Sequence, residues 1–475
     1  MSEPKNKQNI ENINVTLNDH TLELAGSSNY LDGYGINVTK YGIKNDNSES
    51  IVSTMNDLIT QGNNNFFFPP GQYKVDGLIT LTGACKITCI GAIFNIYHTN
   101  DSAFKLTGRH KIRGMAFYYP NQDMTGANII VYPAAINSSS ALSYSIMDDI
   151  NLGNAYIGID LSNGLGGGMQ ISNVYGYPLY RGIIISNTID ILHIDRVHFN
   201  PNFYGVPALA LKRFVWTTGV AVELGRYDFG NVNKVFAWGY KAVFKLTLGS
   251  IGGAVNNVKL TNWTADACDK LAIFTNHDGG VGFYHGTGTF YYPYGAEDPT
   301  PPTQSTNFLE ILGGGSDTYS SKYVDFCFNR VYRAEKHGIW ASNPIKCIGN
   351  EFMRYANSYA EVDPDVIDCI QLNANSDGSI IIGNVFDGKD KAQNRCIAIN
   401  SSGKHKINNN QYFGWKSTNI SGYDSTCEIN GMYHFSTSAD RPTSGRKYVH
   451  GYDMQISKAI WFDGVNWVDA TGSIV

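Results

Sequence analysis

The sequence predicts an all-β solenoid, a chain that winds as stacked coils, begins with a short helix and ends in a small β region. After Tyr73 it consists of short apolar runs separated by Gly, Asn, Asp or Ser, without a long helical pattern. Several runs share one form, an aliphatic residue followed by polar or small residues and an aromatic one: Ile112–Phe117, Ile194–Phe199, Leu224–Phe229, Val258–Trp263, Ile348–Phe352, Ile382–Phe386 and Ile407–Phe413. From Phe199 the aromatic ends recur after 30 and 34 residues, and from Phe352 after 34 and 27 residues, which is typical of solenoids and unlike the hairpin spacing of a sandwich.

The first element is a short helix that closes the N-terminal end of the solenoid. Ser48 is a candidate N-cap, and the apolar residues that follow have helical spacing: Ile51, Val52, Met55, Leu58 and Ile59. Phe66-Phe67-Phe68 then leads into Pro69-Pro70-Gly71, which ends any helix and predicts a turn into the next strand at Tyr73.

This order of motifs resembles the N-terminal part of the pectate-lyase-like parallel β-helix proteins. The shared parts are a short strand with a Tyr-Gly turn, a polar loop, a helix, and the Phe-Pro-Pro-Gly-x-Tyr motif that ends at Tyr73. The family's usual acidic loop is replaced here by Gly42–Asn47, which makes the chain a distant member. The resemblance implies a right-handed parallel β-helix with an N-terminal capping helix.

The composition excludes several classes of protein. The 475 residues are 43% hydrophobic and carry a net charge of −5, so no basic surface for nucleic acid is expected. Neither a membrane-spanning run nor a secretory signal is predicted. The eight cysteines lack metal-ligand spacing and are expected to be small buried residues: Cys85, Cys89, Cys268, Cys327, Cys347, Cys369, Cys396 and Cys427.

The C-terminal segment resembles a signature found on many phage tail and tailspike proteins. It is carried by Arg441-Pro442-Thr443, by Ile460-Trp461-Phe462 and by Trp467-Val468-Asp469-Ala470-Thr471-Gly472. The resemblance implies a homotrimer on the virion, made in the host cytoplasm and attached to other phage tail proteins. It also implies binding, and degradation, of a host-surface glycopolymer such as capsule, exopolysaccharide or teichoic acid.

These observations divide the chain into four parts. Residues 1–34 are an N-terminal arm that docks on the virion or a sister chain, or else a disordered leader, and residues 35–75 begin the β-helix with its capping helix. Residues 76–435 form the β-helix itself, with a Pro- and Tyr-rich inserted loop at about 285–320. Residues 436–475 form the phage-tail-type β region.

Candidate catalytic residues follow from the stacking of coils. Equivalent residues of neighbouring coils lie about 4.8 Å apart, and a glycosidase needs two carboxylates about 5–5.5 Å or 6.5–9.5 Å apart. The chain places many ionisable residues near two successive aromatic runs in its middle. We therefore predict Asp228 as one catalytic carboxylate, with Glu223 or Asp195 as the other.

Substrate-binding candidates surround these acids. Aligning the two runs places Arg196 on Arg226 and His198 on Asp228, with Asn262 next in the same column. Aromatic faces pack against sugar rings, and polar side chains bind their hydroxyls. The predicted binding residues are His198, Arg196, Arg226, Tyr204, Trp216, Trp238, Tyr240, Asn262 and Asp266. The alternative is structural: such ladders satisfy backbone groups in any β-helix, and the aromatic residues are core.

Two further questions stay open at the level of sequence. Asp363, Asp365 and Asp368 flank Pro364 in a loop whose carboxylates could bind Ca²⁺, but the spacing matches no EF-hand, so no metal or cofactor is predicted. The chain is predicted to be a glycoside hydrolase. The alternatives are a receptor-binding tail fibre without activity and a cellular polysaccharide lyase related to pectate lyases.

Overall fold

Each coil of the chain contributes up to three short strands, and each strand pairs in parallel with the equivalent strands of the neighbouring coils. This computed structural model describes residues 34–475 except 141, 165, 190, 206, 304–306, 313–322, 335–336, 354–367, 393–395, 402, 416–419, 423–426, 430–431, 436–449, 454–456 and 464. The architecture is a right-handed parallel β-helix, which confirms the predicted fold class. The N-terminal arm lies outside the described residues.

The first coils surround the N-terminal helix. Helix α1 (Val52–Thr60) buries Met55, Leu58 and Ile59, as predicted, but Ser48 does not cap it, because Ser48 lies in strand β2 and the helix begins after Ile51. The strands of this part are β1 (Ile36–Asn37), β2 (Asp46–Ser50), β3 (Asn65–Phe68), β4 (Gly71–Val75), β5 (Ile79–Gly83), β6 (Lys86–Cys89), β7 (Ala92–Ile96), β8 (Phe104–Gly108), β9 (Lys111–Arg113), β10 (Ala116–Tyr118) and β11 (Ala134–Ser138).

In the middle coils the first and second strands of a coil often join into one bent strand. The strands are β12 (Ile146–Asn151), β13 (Ile157–Leu161), β14 (Met169–Gly176), β15 (Arg181–Ile185), β16 (Leu192–Phe199), β17 (Val220–Leu224), β18 (Tyr227–Asp228), β19 (Asn231–Trp238), β20 (Ala242–Leu246), β21 (Val255–Asn256), β22 (Lys259–Thr261), β23 (Thr264–Cys268), β24 (Lys270–Phe274), β25 (Gly282–Tyr284), β26 (Thr287–Phe290) and β27 (Asn307–Ile311). A second helix, α2 (Leu209–Thr218), was not predicted.

The last coils lead into the C-terminal β region. Their strands are β28 (Val324–Cys327), β29 (Arg330–Ala334), β30 (His337–Ala341), β31 (Ile345–Ile348), β32 (Glu351–Met353), β33 (Ile370–Leu372), β34 (Ile380–Ile382), β35 (Val385–Ala392), β36 (Ile397–Ile399), β37 (Lys406–Asn408), β38 (Gln411–Trp415), β39 (Ile420–Ser421) and β40 (Glu428–Ile429). They are followed by β41 (Met432–Phe435), β42 (His450–Asp453), β43 (Lys458–Phe462) and β44 (Trp467–Asp469). Strands β42 to β44 pair antiparallel around a small core of Ile460, Phe462 and Trp467.

A sharp bend separates the first strand of each coil from the second. From the fourth coil onward the bend residue has a positive φ, and the strand registers stack these residues in one line along the solenoid. We call this line the corner column; it consists of Gly114, Asp149, Asn173, Arg196, Lys234, Asn262, His285, Phe328, Gly349, Gly383 and Asn409. Successive side chains before and after the bend point in opposite directions. Some of the side chains at the corner therefore face the core, and the others face solvent.

Inside the corner, the last coils carry a buried asparagine ladder. Asn350 accepts hydrogen bonds from the backbone and side-chain amides of Asn329, and its own side chain donates to Asn384 Oδ1 at 2.8 Å. Asn384 donates in the same way to Asn410. A neighbouring stack of three aromatic rings fills the interior. The ring centroid of Phe386 lies 5.1 Å from that of Phe352 and 5.4 Å from that of Tyr412. Tyr412, not the predicted Phe413, continues the aromatic repeat, and Phe413 is 53% exposed.

Long excursions leave the solenoid after the second strand of a coil. One contains helix α2 and another spans residues 291–303, so the predicted inserted loop begins only after strand β26. The two excursions pack together, with Trp216 against Tyr292 at 4.9 Å between ring centroids. Arg213 forms an ion pair with Asp298 at 3.8 Å. They therefore form a wall beside the second strands of the middle coils.

Two sequence predictions about the whole chain can be compared with the structure. All eight cysteines are buried, as predicted, and they lie outside any disulfide. Within the described residues, no helix has the length and apolar character needed to cross a membrane.

The asparagine ladder predicts a large effect of a small substitution. Replacing Asn350 by Ala should lower the unfolding free energy by roughly 2–5 kcal/mol, because the buried backbone amide of Asn329 loses its acceptor and the carbonyl of Phe326 loses the Asn350 donor. Urea unfolding monitored by circular dichroism measures the change. The exposed corner substitution Asn409→Gly, which keeps the positive φ, is the control and should leave the midpoint nearly unchanged. An Asn350→Ala midpoint equal to that of the wild type would contradict a stabilising ladder.

Buried histidines predict how stability depends on pH. Burial lowers the pKa of His110 and of His277, which are 0% and 1% exposed, so both are neutral in the folded chain. The unfolded chain binds protons below its ordinary histidine pKa of about 6.5. Stability should therefore be full above pH 6.5 and fall below it, with a slope approaching about 1.4 kcal/mol per pH unit per histidine. Urea midpoints between pH 7.5 and 5.5 test this, and His277→Gln should flatten the slope; a flat wild-type profile contradicts it.

Candidate functional site

A polar ladder runs along the outside of the corner through the middle coils. Its first carboxylate is Asp148, the residue before the bend, which accepts hydrogen bonds from Ser172 Oγ at 2.7 Å and Asn173 Nδ2 at 2.6 Å. Arg113 of the preceding coil lies 3.5 Å from its other oxygen. The side chain of Asp148 nevertheless remains 25% exposed, so a ligand can reach it.

The second carboxylate of the ladder is Asp195. It forms an ion pair with Arg196 at 2.9 Å and accepts a hydrogen bond from Asn233 Nδ2 at 2.7 Å. Asn233 in turn accepts from Asn262 Nδ2 at 2.8 Å. Asp195 is 24% exposed, similar to Asp148.

Arg196 connects the two carboxylates. Its Nε donates to Asn173 Oδ1 at 2.6 Å, and Asn173 donates to Asp148, so a continuous chain of polar contacts links Asp148 to Asp195. The strand register pairs Asp148 with Ser172 and Ser172 with Asp195, which places the two acids two coils apart. At about 4.8 Å per coil this corresponds to roughly 9–10 Å between their backbones.

An aromatic floor lies beside this ladder, two positions beyond the bend residues on the second strands. Tyr175, His198 and Phe236 occupy equivalent positions in three successive coils. The His198 and Phe236 rings meet edge to face, with centroids 4.5 Å apart. Phe203, from the excursion before α2, covers His198 at 5.0 Å and is itself 44% exposed. The ladder, the floor and Phe203 together form what we call the corner groove.

The surroundings of the groove shift the pKa values of Asp148, Tyr175 and His198. Burial opposes ionisation of Asp148, but hydrogen bonds from Ser172 and Asn173, with the charges of Arg113 and Arg196, outweigh it and lower its pKa. Burial raises the pKa of Tyr175, and the Asp149 carboxylate adds to this. Burial lowers the pKa of His198, so this ring is neutral near pH 7. The groove thus offers an ionised carboxylate, a neutral imidazole and a neutral phenol to a ligand.

The structure does not bring the three predicted catalytic acids together. Asp195 lies at the corner, but Glu223 lies on the third strand β17 and Asp228 in the turn strand β18, at different positions around the coil. The alignment that joined them was wrong, because His198 pairs with Phe236 and Asp228 pairs with Asn256.

Glu223 and Asp228 each form ion pairs with neighbouring basic side chains. Glu223 forms ion pairs with Arg181 at 2.6 Å and with Lys245 at 3.0 Å, and its side chain is 15% exposed. Asp228 lies 3.4 Å from Arg226, the predicted binding residue, which is likewise outside the corner groove. These contacts are those of structural ion pairs.

The predicted binding residues divide into three groups. Arg196, His198 and Asn262 belong to the corner groove, and Trp238 and Asp266 lie two positions further along the same second strands, towards the wall. Trp216 and Tyr240 are 1% and 0% exposed, so they are core residues and not sugar platforms. Tyr204 belongs to the 3₁₀ segment Pro201–Tyr204, and its side chain lies outside the described part.

Sequence reasoning missed several residues of the groove: Asp148, Asp149, Asn173, Tyr175, Phe203, Asn233 and Phe236. Asp148 and Asp149 lie at the bend of their coil, where Asp149 has a positive φ. The detectable signal is a polar pair followed by an aliphatic residue and a ring, as in Ser172–Tyr175 and Asp195–His198. The bend residue in these segments needs a positive φ, which Asn and Asp tolerate better than most residues.

The proposed Ca²⁺ loop lies largely outside the described residues. Asp363 and Asp365 are in segment 354–367, and Asp368 is fully buried. In the part of the chain that the structure describes, no group of three or more His, Cys, Asp or Glu side chains is placed to hold a metal ion.

Neither a protein-family model nor a curated protein sequence matches the chain. Among solved structures, it is similar to the A-module of the mannuronan C-5 epimerase AlgE6 from Azotobacter vinelandii, at 12% identity and a TM-score of 0.47 over 83% of this chain and 98% of that one. It is also similar to PfbA, a surface adhesin of Streptococcus pneumoniae, at 13% identity and a TM-score of 0.47 over 92% and 99%. Tailspike protein 3 of bacteriophage CBA120 shows 12% identity and a TM-score of 0.41 over 94% and 70%. Likeness at this level does not extend to what these proteins bind or do.

Proposed function

We propose that this protein binds a glycopolymer of a bacterial host surface in the corner groove. The observation that carries the proposal is the position of the aromatic floor, whose rings lie two residues beyond the bend residues of the polar ladder on the same strands. Sugar rings pack on aromatic faces while their hydroxyls bind carboxylates, amides and guanidinium groups. The groove supplies all of these within three successive coils: the rings of Tyr175, His198 and Phe236 beside Asp195 and Arg196.

The direction of the groove supports a polymer over a small ligand. The floor and the ladder both run along the solenoid axis, because each member comes from a new coil at about 4.8 Å spacing. An extended chain laid along the axis would meet an equivalent ring and polar group at each coil. The wall formed by the two packed excursions borders this path.

Location and assembly are proposed from the resemblance of the C-terminal segment. The described part of that segment forms strands β42 to β44 with a separate small core. We propose a homotrimer on the virion tail, attached to other tail proteins, in which this segment follows the solenoid. The Arg441-Pro442-Thr443 part of the signature lies outside the described residues.

The floor predicts loss of affinity on removal of one ring. Phe236→Ala should weaken binding about 5- to 20-fold, because the sugar loses a packing face worth on the order of 1–2 kcal/mol. Binding to immobilised capsular polysaccharides and teichoic acids by surface plasmon resonance measures this. Asp228→Asn, at the opposite turn, is the matched control and should bind like the wild type. Failure of the wild type to bind any host polymer would overturn the proposed function.

Cleavage of the polymer is the second candidate, and the two-coil separation of Asp148 and Asp195 favours it. An inverting glycosidase needs two carboxyl groups about 6.5–9.5 Å apart with room for a water. Asp148, whose pKa is lowered, would be the base that activates water. Once the substrate had drawn Arg196 away, Asp195 would take up a proton from solvent and donate it to the leaving oxygen, while Asp148 accepts the proton of the attacking water. The same contact between Asp195 and Arg196 favours binding without cleavage.

The cleavage hypothesis predicts that each acid is required. Asp148→Asn and Asp195→Asn should each reduce the release of reducing ends roughly 10²- to 10⁴-fold, while the bound fraction of polymer stays similar. Glu223→Gln serves as the control, and the Glu223→Gln protein that folds should release reducing ends at the rate of the wild type. If the wild type releases no reducing ends from a polymer that it binds, the protein is a binder only. If Glu223→Gln is as inactive as the two variants while remaining folded, the assignment of the acids is wrong.

A further inference from the structure

The corner column continues past the groove to two aromatic residues. His285 and Phe328 occupy the bend in successive coils, with φ of 55° and 58°. Their rings stack at 10° between planes, with centroids 5.5 Å apart. Phe328 is 56% exposed, so this stack faces solvent.

An exposed Phe at this bend is unfavourable for folding alone. A bulky residue with positive φ is a backbone outlier that costs of order 1–3 kcal/mol, and such outliers cluster at functional sites. The next two bend positions are Gly349 and Gly383, which adopt the conformation without strain. A Cβ atom on Gly349 would lie 2.8 Å from Phe328 ring atoms, so this glycine also leaves room for the ring. The column therefore makes room for the Phe328 ring at the next bend position, Gly349.

Polar side chains complete a shallow pocket around the stack. Thr287, Arg330 and Glu351 line it together with His285 and Phe328. Arg330 Nε pairs with Glu351, and its Nη1 donates to Tyr332 Oη at 2.9 Å. Because the guanidinium and the carboxylate compensate each other, the pocket offers hydrogen-bond donors and acceptors without a net charge from this pair.

We propose that this pocket is a second glycan subsite that takes an uncharged pyranose residue of the same polymer. The inference rests on the proposed function. The aromatic rings offer a surface on which the face of a sugar can pack. The Arg330–Glu351 pair, whose charges compensate each other, suits the hydroxyl groups of a sugar better than a carboxylate or a phosphate. Phe328 lies four coils beyond His198, or roughly 19 Å at about 4.8 Å per coil. A polymer on the corner groove can therefore reach the second subsite by continuing along the same edge.

The test uses Phe328→Gly, which keeps the bend conformation and removes only the ring. Asn409→Gly is the matched control, since it makes the same type of change at an exposed bend further along the column. The probe is the capsular polysaccharide or teichoic acid that the full-length wild type binds, together with a size series of its oligosaccharides. We expect Phe328→Gly to weaken polymer binding about tenfold and Asn409→Gly to leave it unchanged. Oligosaccharides too short to span four coils should bind wild type and Phe328→Gly equally.

Each outcome separates the subsite from the groove. Equal polymer affinity of wild type and Phe328→Gly, with Phe236→Ala weakened, overturns the second subsite and leaves the proposed function in place. A wild type that binds none of the polymers overturns the proposed function and the subsite with it. A Phe328→Gly effect that disappears at high salt overturns the assignment to an uncharged sugar, since screening weakens only charged contacts. An equal loss in Asn409→Gly shows a general effect of the corner and overturns the subsite as well.

Discussion

The structure depends on the bend between the first and second strands of each coil. At this bend a residue with positive φ turns the chain, and its N–H donates to a carbonyl of the next coil. Examples are Asn262 to Tyr284 O at 2.9 Å and Phe328 to Ile348 O at 2.9 Å. Because the bend is hydrogen-bonded from coil to coil, the side chains on either side of it are held in continuous columns. Core, groove and second subsite are all consequences of this alignment.

Two ladders of polar side chains follow the corner, one inside the solenoid and one outside, and they differ in their burial. Inside, Asn350 and Asn384 are 0% exposed, and their amides bind backbone groups of neighbouring coils that no water can reach. Outside, Asp148 and Asp195 bind other side chains and remain about a quarter exposed. A solvent-exposed polar ladder is not needed to satisfy buried backbone groups, which leaves its polar atoms available for a ligand.

The sequence predicted the type of fold well and the register only where the coils are regular. The repeats Ile348–Phe352 and Ile382–Phe386 were aligned correctly, because both contain the bend, the buried Asn and the core Phe at the same spacing. Ile194–Phe199 and Leu224–Phe229 look alike but occupy different positions in the coil, because the segment with α2 lies between them. An excursion of that length cannot be placed from residue types alone. Asp195 was therefore grouped with Glu223 and Asp228, which lie elsewhere around the coil.

The position of the excursions explains why the groove lies where it does. The corner is hydrogen-bonded to both neighbouring coils, so an inserted residue there would break a column that extends along the solenoid. Helix α2 and residues 291–303 leave the solenoid instead at the turn after the second strand. The proposed binding face is thus bounded on one edge by the corner column and on the other by inserted segments. Phe203, which belongs to the inserted edge but contacts His198 of the floor, is the point where the two edges meet.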